Sequence, residues 1–247
     1  MIKTENTVLP SGVQWKAIIM GARNPMNSWA RSDSRMCGSG SCDICVDWDE
    51  CPFDHNPDKL LVGDNDHELM MKLTKGGPVH AKYRRMIPVF VNVTAPLYWW
   101  KEFDTYKIGT VANSCSTMHK IHAKEFELED FSCERLRKRP LSKLEDTIEE
   151  LNWWRDVYNN GGMDDNYDGT ARIYEPKDKE AWDQMIQLLP SSYNQMRTLA
   201  LNYEVLVGIY RDRKNHKLPE WHVFCKWIES LPYSEIIIGE KEKNDEA

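Results

Sequence analysis

The sequence predicts an α+β fold that is mostly helical with a small antiparallel sheet. Most segments with periodic apolar residues repeat them at the three-to-four-residue spacing of a helix, whereas residues 85–94 alternate as a strand does. No sequence unit repeats along the chain. Many helices and few strands predict this architecture, and 247 residues allow one large domain or two small ones. We expect one domain over residues 1–247, with a Cys-rich inserted loop at 31–62.

Two helices are expected in the first third of the chain. Ser11 is a suitable N-cap for a helix that runs to about Arg23 and has one apolar face, made of Trp15, Ile18, Ile19 and Ala22. Residues 24–63 are rich in Asn, Ser, Gly, Asp, Cys and Pro, which indicates a long loop or an inserted subdomain. A short helix over 64–75 is closed by Gly76 and Gly77.

The middle of the chain combines a strand with an aromatic helix. Residues 85–94 predict the strand, and Pro88 within it indicates a sheet edge or an irregular start. Pro96 suits the first turn of the next helix, which carries most of a dense aromatic set: Tyr98, Trp99, Trp100, Phe103 and Tyr106. Such a set predicts burial, since exposed aromatic clusters promote aggregation.

Four more helices are predicted towards the C-terminus. A capping box at 142–145 opens the first, which ends at the Asn-Asn-Gly-Gly of 159–162. The others cover 176–189, 192–213 and 219–230. The acidic stretch 164–169 has too few correctly spaced ligands for a calcium loop and predicts a solvent-exposed turn.

Charge and hydropathy exclude several classes of function. A net charge of −7 and a pI near 5.6 argue against general binding of nucleic acid or of membrane surfaces. The chain contains no apolar run of the roughly 18 residues that a membrane span requires, and its first residues lack the apolar core of a signal peptide. We therefore expect a cytoplasmic protein whose cysteines are reduced thiols or metal ligands rather than disulfides.

Four of the seven cysteines form a cluster with metal-binding spacing. Cys37, Cys42, Cys45 and Cys51 follow the pattern C-x4-C-x2-C-x5-C, and four thiolates complete a tetrahedral zinc site. The alternatives are an iron–sulfur cluster and free or disulfide-bonded thiols, although the fourth cysteine comes too early for plant-type iron–sulfur spacing. The favoured prediction is structural zinc.

One stripe of the predicted helix 192–213 mixes polar and apolar residues. Asn202, Leu206, Ile209 and Arg213 are spaced four, three and four apart and fall on one face. An inward-facing arginine requires an acceptor because its guanidinium keeps its charge. That acceptor is an internal acid such as Glu204, water that the side chain reaches at the surface, or a phosphate or carbonyl of a ligand.

The order of these elements resembles the flavin-dependent thymidylate synthases. The resemblance rests on Ala22-Arg23, the Gly-Gly close of the second helix, a strand ending in Ala95-Pro96, the later Leu189-Pro190, and an asparagine and arginine eleven apart. In the family signature, R-H-R precedes N-E-x-S-x-R. Thr105-Tyr106-Lys107 occupies the first motif, and residues 113–118 (NSCSTM) occupy the second.

The resemblance implies an enzyme that uses FAD for reductive one-carbon transfer to dUMP or a related pyrimidine nucleotide, with folate and NADPH as further partners. It also implies a homotetramer with pockets shared between subunits. Arg213 would bind and polarise the pyrimidine and is the one catalytic candidate. The implied flavin-binding residues are Lys107, Asn113, Ser116 and Asn202, and Ser114 and Ser116 join Arg213 in binding substrate.

Three signature positions depart from the family. Thr105, Ser114 and Met118 replace an arginine, a glutamate and an arginine that contact flavin and the nucleotide phosphate in the family. If the assembly is preserved, Arg84 and Arg85 are candidates to replace the missing charges. The alternative function is a non-catalytic protein that keeps the fold and binds a nucleotide or another protein. A zinc-dependent nucleic-acid module is disfavoured by the acidic charge.

Overall fold

The computed structural model describes residues 2–37, 58–165 and 169–239. About half of the chain is helical, and the strands form a small antiparallel sheet, as predicted. The helices are α1 (Gly12–Arg23), α2 (Asp64–Lys75), α3 (Leu97–Phe103), α4 (Thr117–Lys120), α5 (Lys138–Asn160), α6 (Lys179–Leu188), α7 (Tyr203–Arg213), α8 (Pro219–Glu229) and α9 (Glu235–Ile238).

The strands are β1 (Lys3–Val8), β2 (Arg35–Met36), β3 (Leu60–Leu61), β4 (Pro88–Pro96), β5 (Val111–Ser114), β6 (Gly162–Asp165), β7 (Ala171–Tyr174) and β8 (Asn194–Asn202). Four of them form a sheet in the order β1-β4-β8-β5. The other four form two antiparallel pairs, β2 with β3 and β6 with β7.

The chain divides into two compact units. The first unit comprises residues 1–3, 92–105 and 113–198, and the second comprises 4–91, 106–112 and 199–247. The chain passes from one unit to the other within β1, β4, β5 and β8, and also between Thr105 and Tyr106. A single domain over the whole chain stays a prediction.

Each unit has its own buried apolar residues. In the first unit, α5 and α6 pack together over a core of Ile121, Phe126, Phe131, Leu144, Ile148, Leu151, Trp154, Val157, Tyr174, Ala181 and Met185. In the second unit, α1 packs on α2, and α7 packs on α8 and α9. Leu206, Ile209, Trp221 and Phe224 are fully buried there, so the helices of this unit are held by apolar burial.

Helices α1, α2 and α3 form where the residues at their ends predict them. Ser11 and Gln14 make a reciprocal capping box at the start of α1, with Ser11 N–H donating to Gln14 Oε1 at 2.8 Å. The predicted face of α1 is buried, and α2 has the predicted bounds. Pro96 stands at the N-cap of α3, and Trp99, Trp100 and Phe103 of that helix are buried.

The prediction of one helix over 192–213 is wrong. Residues 194–202 form β8, which lies between β4 and β5, and the helix begins only at Tyr203. The segment NQMRTLALN alternates buried and less buried positions, and pairing on both sides outweighs its helix-forming residues. Asn202 then ends the strand, because its side chain accepts the N–H of Val205 at 3.0 Å and caps α7.

Other boundaries also differ from the sequence prediction. Helix α5 begins at Lys138, so the Ser142–Glu145 box lies inside it, and Pro140 is accommodated in its first turn. The acidic stretch after α5 contributes to the β6–β7 pair, which the sequence analysis missed together with β1. Strand β4 is not an edge, but Pro88 is its first residue, where proline is tolerated.

A buried ion pair joins α1 to α2 in the second unit. Arg23 Nε donates to Asp66 Oδ1, and the two side chains are 4% and 1% exposed. Asp66 Oδ2 also accepts from the hydroxyls of Ser32 and Ser34 at 2.7 and 2.6 Å and from Ser34 N–H at 3.0 Å. Burial opposes ionisation of Asp66, but these hydrogen bonds outweigh it, so the pKa of the carboxyl lies below its ordinary value.

The substitution Asp66→Asn is expected to lower the free energy of unfolding by about 3–5 kcal/mol, because it leaves a buried guanidinium without its counter-charge. Urea denaturation at pH 7 measures this change. Asp64→Asn, an exposed position in the first turn of the same helix, serves as the matched control, with an expected loss below about 1 kcal/mol.

The pH dependence of the free energy of unfolding is a second test of the Arg23–Asp66 ion pair. Because the native pKa of Asp66 is below its unfolded value near 4, its stabilisation is complete above about pH 4 and is lost as pH falls through the native pKa. Asp66→Asn should therefore flatten the acid limb of the stability profile. Equal losses from Asp66→Asn and Asp64→Asn would contradict the role of the ion pair.

Candidate functional site

Arg213 lies at the end of α7 in an aromatic setting. Its side chain is half-buried, and its Nε donates to Tyr106 Oη at 2.8 Å. The guanidinium carbon is 4.7 Å from the Trp221 ring centroid and 5.5 Å from that of Tyr106. A planar guanidinium held against aromatic rings has a defined orientation, so Arg213 is positioned rather than extended into bulk solvent.

Tyr106 holds Arg213 as a neutral phenol. Burial raises the pKa of Tyr106, although the hydrogen bond from Arg213 opposes the rise. The Tyr106 and Trp221 rings meet edge to face with centroids 6.2 Å apart. Hydrogen bonding and cation–π attraction therefore act on the guanidinium without a tyrosinate charge.

The loop that follows Tyr106 approaches the start of α7. Gly109 has φ of +75°, and a Cβ placed on it would lie 2.9 Å from Val205 Cγ2 and 3.2 Å from Asn202 Nδ2. Only glycine suits both that dihedral and that contact. Tyr106 contacts the last turn of α7, and Gly109 contacts the first turn of the same helix. Residues 106–109 therefore run along α7, and Lys107 in this loop is exposed.

Three predicted site residues therefore lie close to α7 in the second unit: Asn202 and Arg213 at its ends, and Lys107 on the loop beside it. Asn202 and Arg213 mark the two ends of α7, and eleven residues of helix separate them by about 16 Å. A single ligand that contacts both must be extended. Asn202 uses its Oδ1 to cap the helix, so the group it can offer a ligand is the amide Nδ2.

The other predicted residues belong to the first unit. Asn113 and Ser114 are exposed at the end of β5, and exposed Ser116 caps α4 by accepting His119 N–H at 3.1 Å. The backbone of Cys115 is fixed to β8, since its N–H donates to Met196 O at 2.9 Å and its carbonyl accepts from Gln195 Nε2 at 2.9 Å. Cys115 and Ser116 line a cavity of about 260 Å³.

The predicted site is thus divided between the two units. Lys107, Asn202 and Arg213 lie in the second unit, whereas Asn113, Ser114 and Ser116 lie in the first. One pocket that contains all six residues stays a prediction.

Arg84 is unsuited to replace a missing phosphate clamp. It is 4% exposed and donates to Glu204 Oε2 from Nε at 2.8 Å and from Nη2 at 2.7 Å. Glu204, the acid considered as a partner for Arg213, therefore pairs with Arg84. Arg85 is exposed.

Sequence analysis missed Arg197 on β8. Its guanidinium carbon is 4.3 Å from the Trp100 ring centroid, and it donates to Asp104 at 2.7 Å and to Gln195 at 3.0 Å. Gln195 in turn holds the backbone of Cys115, so these contacts tie the signature segment to α3 within the first unit. The alternating pattern of β8, with buried and less buried positions, could have identified this strand, but residues 192–213 were predicted to form one helix.

The described residues do not support the zinc prediction. Cys37 is buried, and its N–H donates to Lys59 O at 2.7 Å. Cys42, Cys45 and Cys51 lie outside the described residues. Within residues 2–37, 58–165 and 169–239, no group of three or more His, Cys, Asp or Glu side chains is placed to hold a metal ion.

No family model and no curated protein matches the sequence. Solved structures do resemble the chain, among them two of one enzyme. Both are of the flavin-dependent thymidylate synthase ThyX from Helicobacter pylori with FAD and dUMP. One aligns with a TM-score of 0.54 at 14% identity over 95% of each chain. The other aligns with a TM-score of 0.55 at 14% identity over 95% of this chain and 94% of that chain.

The likeness shows that the chain has the fold of the flavin-dependent thymidylate synthases, as the sequence resemblance implied. At 14% identity it shows the fold alone. Among the described helices, none is both long and apolar enough to cross a membrane.

The substitution Tyr106→Phe is expected to lower the free energy of unfolding by about 1 kcal/mol, because it removes the acceptor of a half-buried guanidinium donor. Urea denaturation measures the loss. Tyr210→Phe on the same helix removes a hydrogen bond to Glu229 at the surface and should cost less than about 0.5 kcal/mol. A larger loss from Tyr210→Phe would contradict the positioning of Arg213 by Tyr106.

Proposed function

We propose that this protein binds a flavin and a pyrimidine nucleotide and catalyses reductive one-carbon transfer to the nucleotide. The observation that carries the proposal is the fold likeness to ThyX over 95% of both chains, since those structures hold FAD and dUMP. Dinucleotide and nucleotide ligands of this kind offer phosphates and ring carbonyls as acceptors. The chain would then be a thymidylate synthase-like enzyme.

The donors of the second unit suit such ligands. Arg213 presents a guanidinium whose orientation Tyr106 and Trp221 restrict. Asn202 offers an amide group, and Lys107 offers an exposed ammonium on the loop that covers α7. Guanidinium and amide N–H groups bind ring carbonyls, and ammonium groups bind phosphate, so the donor set fits a flavin and a nucleotide.

A reduced flavin supplies hydride when bound, and the protein contributes binding and electrostatics. In this proposal Arg213 binds a pyrimidine carbonyl and stabilises negative charge that develops on it. Asn202 Nδ2 would hold the flavin ring by donating a hydrogen bond to it. Lys107 and the signature residues Asn113, Ser114 and Ser116 bind flavin and nucleotide phosphate. A folate would supply the carbon unit and NADPH the reducing equivalents, and a homotetramer would complete the pocket.

A second candidate is a non-catalytic protein that binds a nucleotide or another protein. The observation that favours it is the chemistry of the three departures from the signature. Met118 is exposed and cannot bind phosphate, and the Thr105 hydroxyl donates to the Glu102 carbonyl at 2.7 Å. Ser114 cannot supply a carboxylate charge.

Turnover distinguishes the two candidates. Purified protein is supplied with FAD, dUMP, methylene-carrying folate and NADPH, and methylated nucleotide is measured by chromatography. The proposal expects flavin absorbance on the protein and formation of dTMP. Binding of dUMP without formation of dTMP would favour the non-catalytic candidate. Failure to bind either FAD or dUMP would rule out the proposed enzyme and its ligand-binding pocket.

The substitution Arg213→Ala should weaken dUMP binding about 10- to 100-fold, because it removes a charge-assisted hydrogen bond worth about 1.5–3 kcal/mol. Isothermal titration of dUMP into FAD-loaded protein measures the change. Arg211→Ala is the matched control, since Arg211 lies on the same helix with its side chain 73% exposed. Equal effects from both substitutions would contradict the assigned role of Arg213.

The substitution Asn202→Asp separates capping from flavin binding. An aspartate keeps an oxygen acceptor for Val205 N–H at the N-terminus of α7, so the free energy of unfolding should change by less than about 1 kcal/mol. It loses the amide donor, and FAD affinity, measured by fluorescence quenching, should fall at least about tenfold. Unchanged FAD affinity would remove Asn202 from the flavin site.

A further inference from the structure

A buried glutamine holds the signature segment, residues 113–118, near its middle. Gln195 on β8 is 8% exposed, and its Nε2 donates to the carbonyl of Cys115 at 2.9 Å. The N–H of Cys115 donates to the carbonyl of Met196, the next residue along β8, at 2.9 Å. Both backbone groups of Cys115 are therefore fixed by β8, and one of these two hydrogen bonds depends on a side chain.

Arg197 determines which end of the Gln195 amide faces Cys115. Its Nε donates to Gln195 Oε1 at 3.0 Å, and a guanidinium offers donors only. The amide oxygen therefore points to Arg197, which leaves the Nε2 donor for the Cys115 carbonyl. The rotated amide would face donor to donor on one side and oxygen to oxygen on the other, so this network selects a single orientation.

Arg197 is itself held by a carboxylate and an aromatic ring. Its Nη1 donates to Asp104 Oδ1 at 2.7 Å, and its guanidinium carbon lies 4.3 Å from the Trp100 ring centroid. Trp100 is buried, and its Nε1 donates to the backbone carbonyl of Gln195 at 2.9 Å. A closed network thus runs from the end of α3 through Arg197 and Gln195 to the Cys115 carbonyl, and all of it lies in the first unit.

The residues that precede Cys115 depend on this network for their direction. The side chains of Asn113 and Ser114 are exposed and form no hydrogen bond within the described part of the chain, so the backbone sets where they point. Strand β5 ends the order of the four-stranded sheet and pairs with β8. The segment NSCSTM contains no charged residue that could anchor it through an ion pair. Its geometry therefore relies on the contacts of Cys115 with β8.

We propose that Gln195 and Arg197 are positioning residues for the ligand site and act on it through the backbone of the signature segment. This inference rests on the proposed function, in which Asn113 and Ser114 bind flavin or nucleotide phosphate. Gln195 uses both ends of its amide within the chain, so it acts through Cys115 rather than on the ligand. The network keeps the segment in one geometry before a ligand arrives, and binding does not have to order it.

The isosteric substitution Gln195→Glu tests the proposal. A glutamate keeps the acceptor for Arg197 but replaces the Nε2 donor with an oxygen that repels the Cys115 carbonyl. We expect the Kd of the full-length protein for FAD or for dUMP, measured by fluorescence quenching and isothermal titration, to rise at least about fivefold. Gln187→Glu, the same change at an exposed position of α6 in the first unit, should alter either Kd less than about twofold.

Two measurements separate positioning from a general loss of stability. Amide hydrogen exchange at Cys115, measured without ligand, should become at least about tenfold faster in Gln195→Glu, while the amides of α5 keep their rates. In a protein that carries Asn113→Ala and Ser114→Ala, Gln195→Glu should have little further effect on Kd, because the side chains that it positions are absent. Equal acceleration throughout α5, or fully additive effects on Kd, would overturn the proposal.

A second variant keeps the test informative if Gln195→Glu does not fold. Asp104→Asn, at an exposed position, loosens Arg197 without adding a charge to the interior, and should raise the same Kd about two- to threefold. Wild-type protein that binds neither FAD nor dUMP would overturn the proposed function together with this inference. Wild-type binding that is unchanged in both variants would overturn the positioning role alone.

Discussion

The second unit depends on acceptors for three of its buried or half-buried guanidinium groups, those of Arg23, Arg84 and Arg213. Arg23 pairs with Asp66, Arg84 pairs with Glu204, and Arg213 is held by Tyr106 and Trp221. Arginine cannot release its proton, so burial without such partners would be prohibitively costly. The first two pairs are internal and join separate elements. Arg213 differs, since an aromatic cage and a neutral phenol orient it while its charge is retained.

Helix α7 connects this electrostatic arrangement to the proposed chemistry. Its buried face, with Leu206 and Ile209, anchors it in the core, while its two ends carry Asn202 and Arg213. Gly109 allows the preceding loop to approach the helix and brings Lys107 alongside. In the proposed function, binding and polarisation depend on such placement, and a rigid helix between two donors provides it.

The sequence predicted that the fold is mostly helical and where α1 and α2 begin and end, because capping residues and apolar periodicity act locally. The order of its motifs also predicted the resemblance to the flavin-dependent thymidylate synthases. The helical prediction misassigned 192–202, since NQMRTLALN is intrinsically ambiguous and becomes a strand only when β4 and β5 flank it. That error also hid Arg197. Arg84 was considered for ligand binding because a sequence does not show that Glu204, 120 residues away, takes its charge.

By itself, the sequence determined which residues bear chemistry and where local signals start and stop helices: the Ser11 cap, the glycine close of α2 and the eleven-residue spacing of Asn202 and Arg213. Only the tertiary structure decided which guanidinium groups form internal ion pairs, as those of Arg23 and Arg84 do, and which one is oriented by a phenol and an indole ring, as that of Arg213 is. The physical reason is that hydrophobic periodicity and capping act over a few residues. Charge neutralisation and strand pairing join residues that are distant in the chain, and only the folded chain brings them within bonding distance.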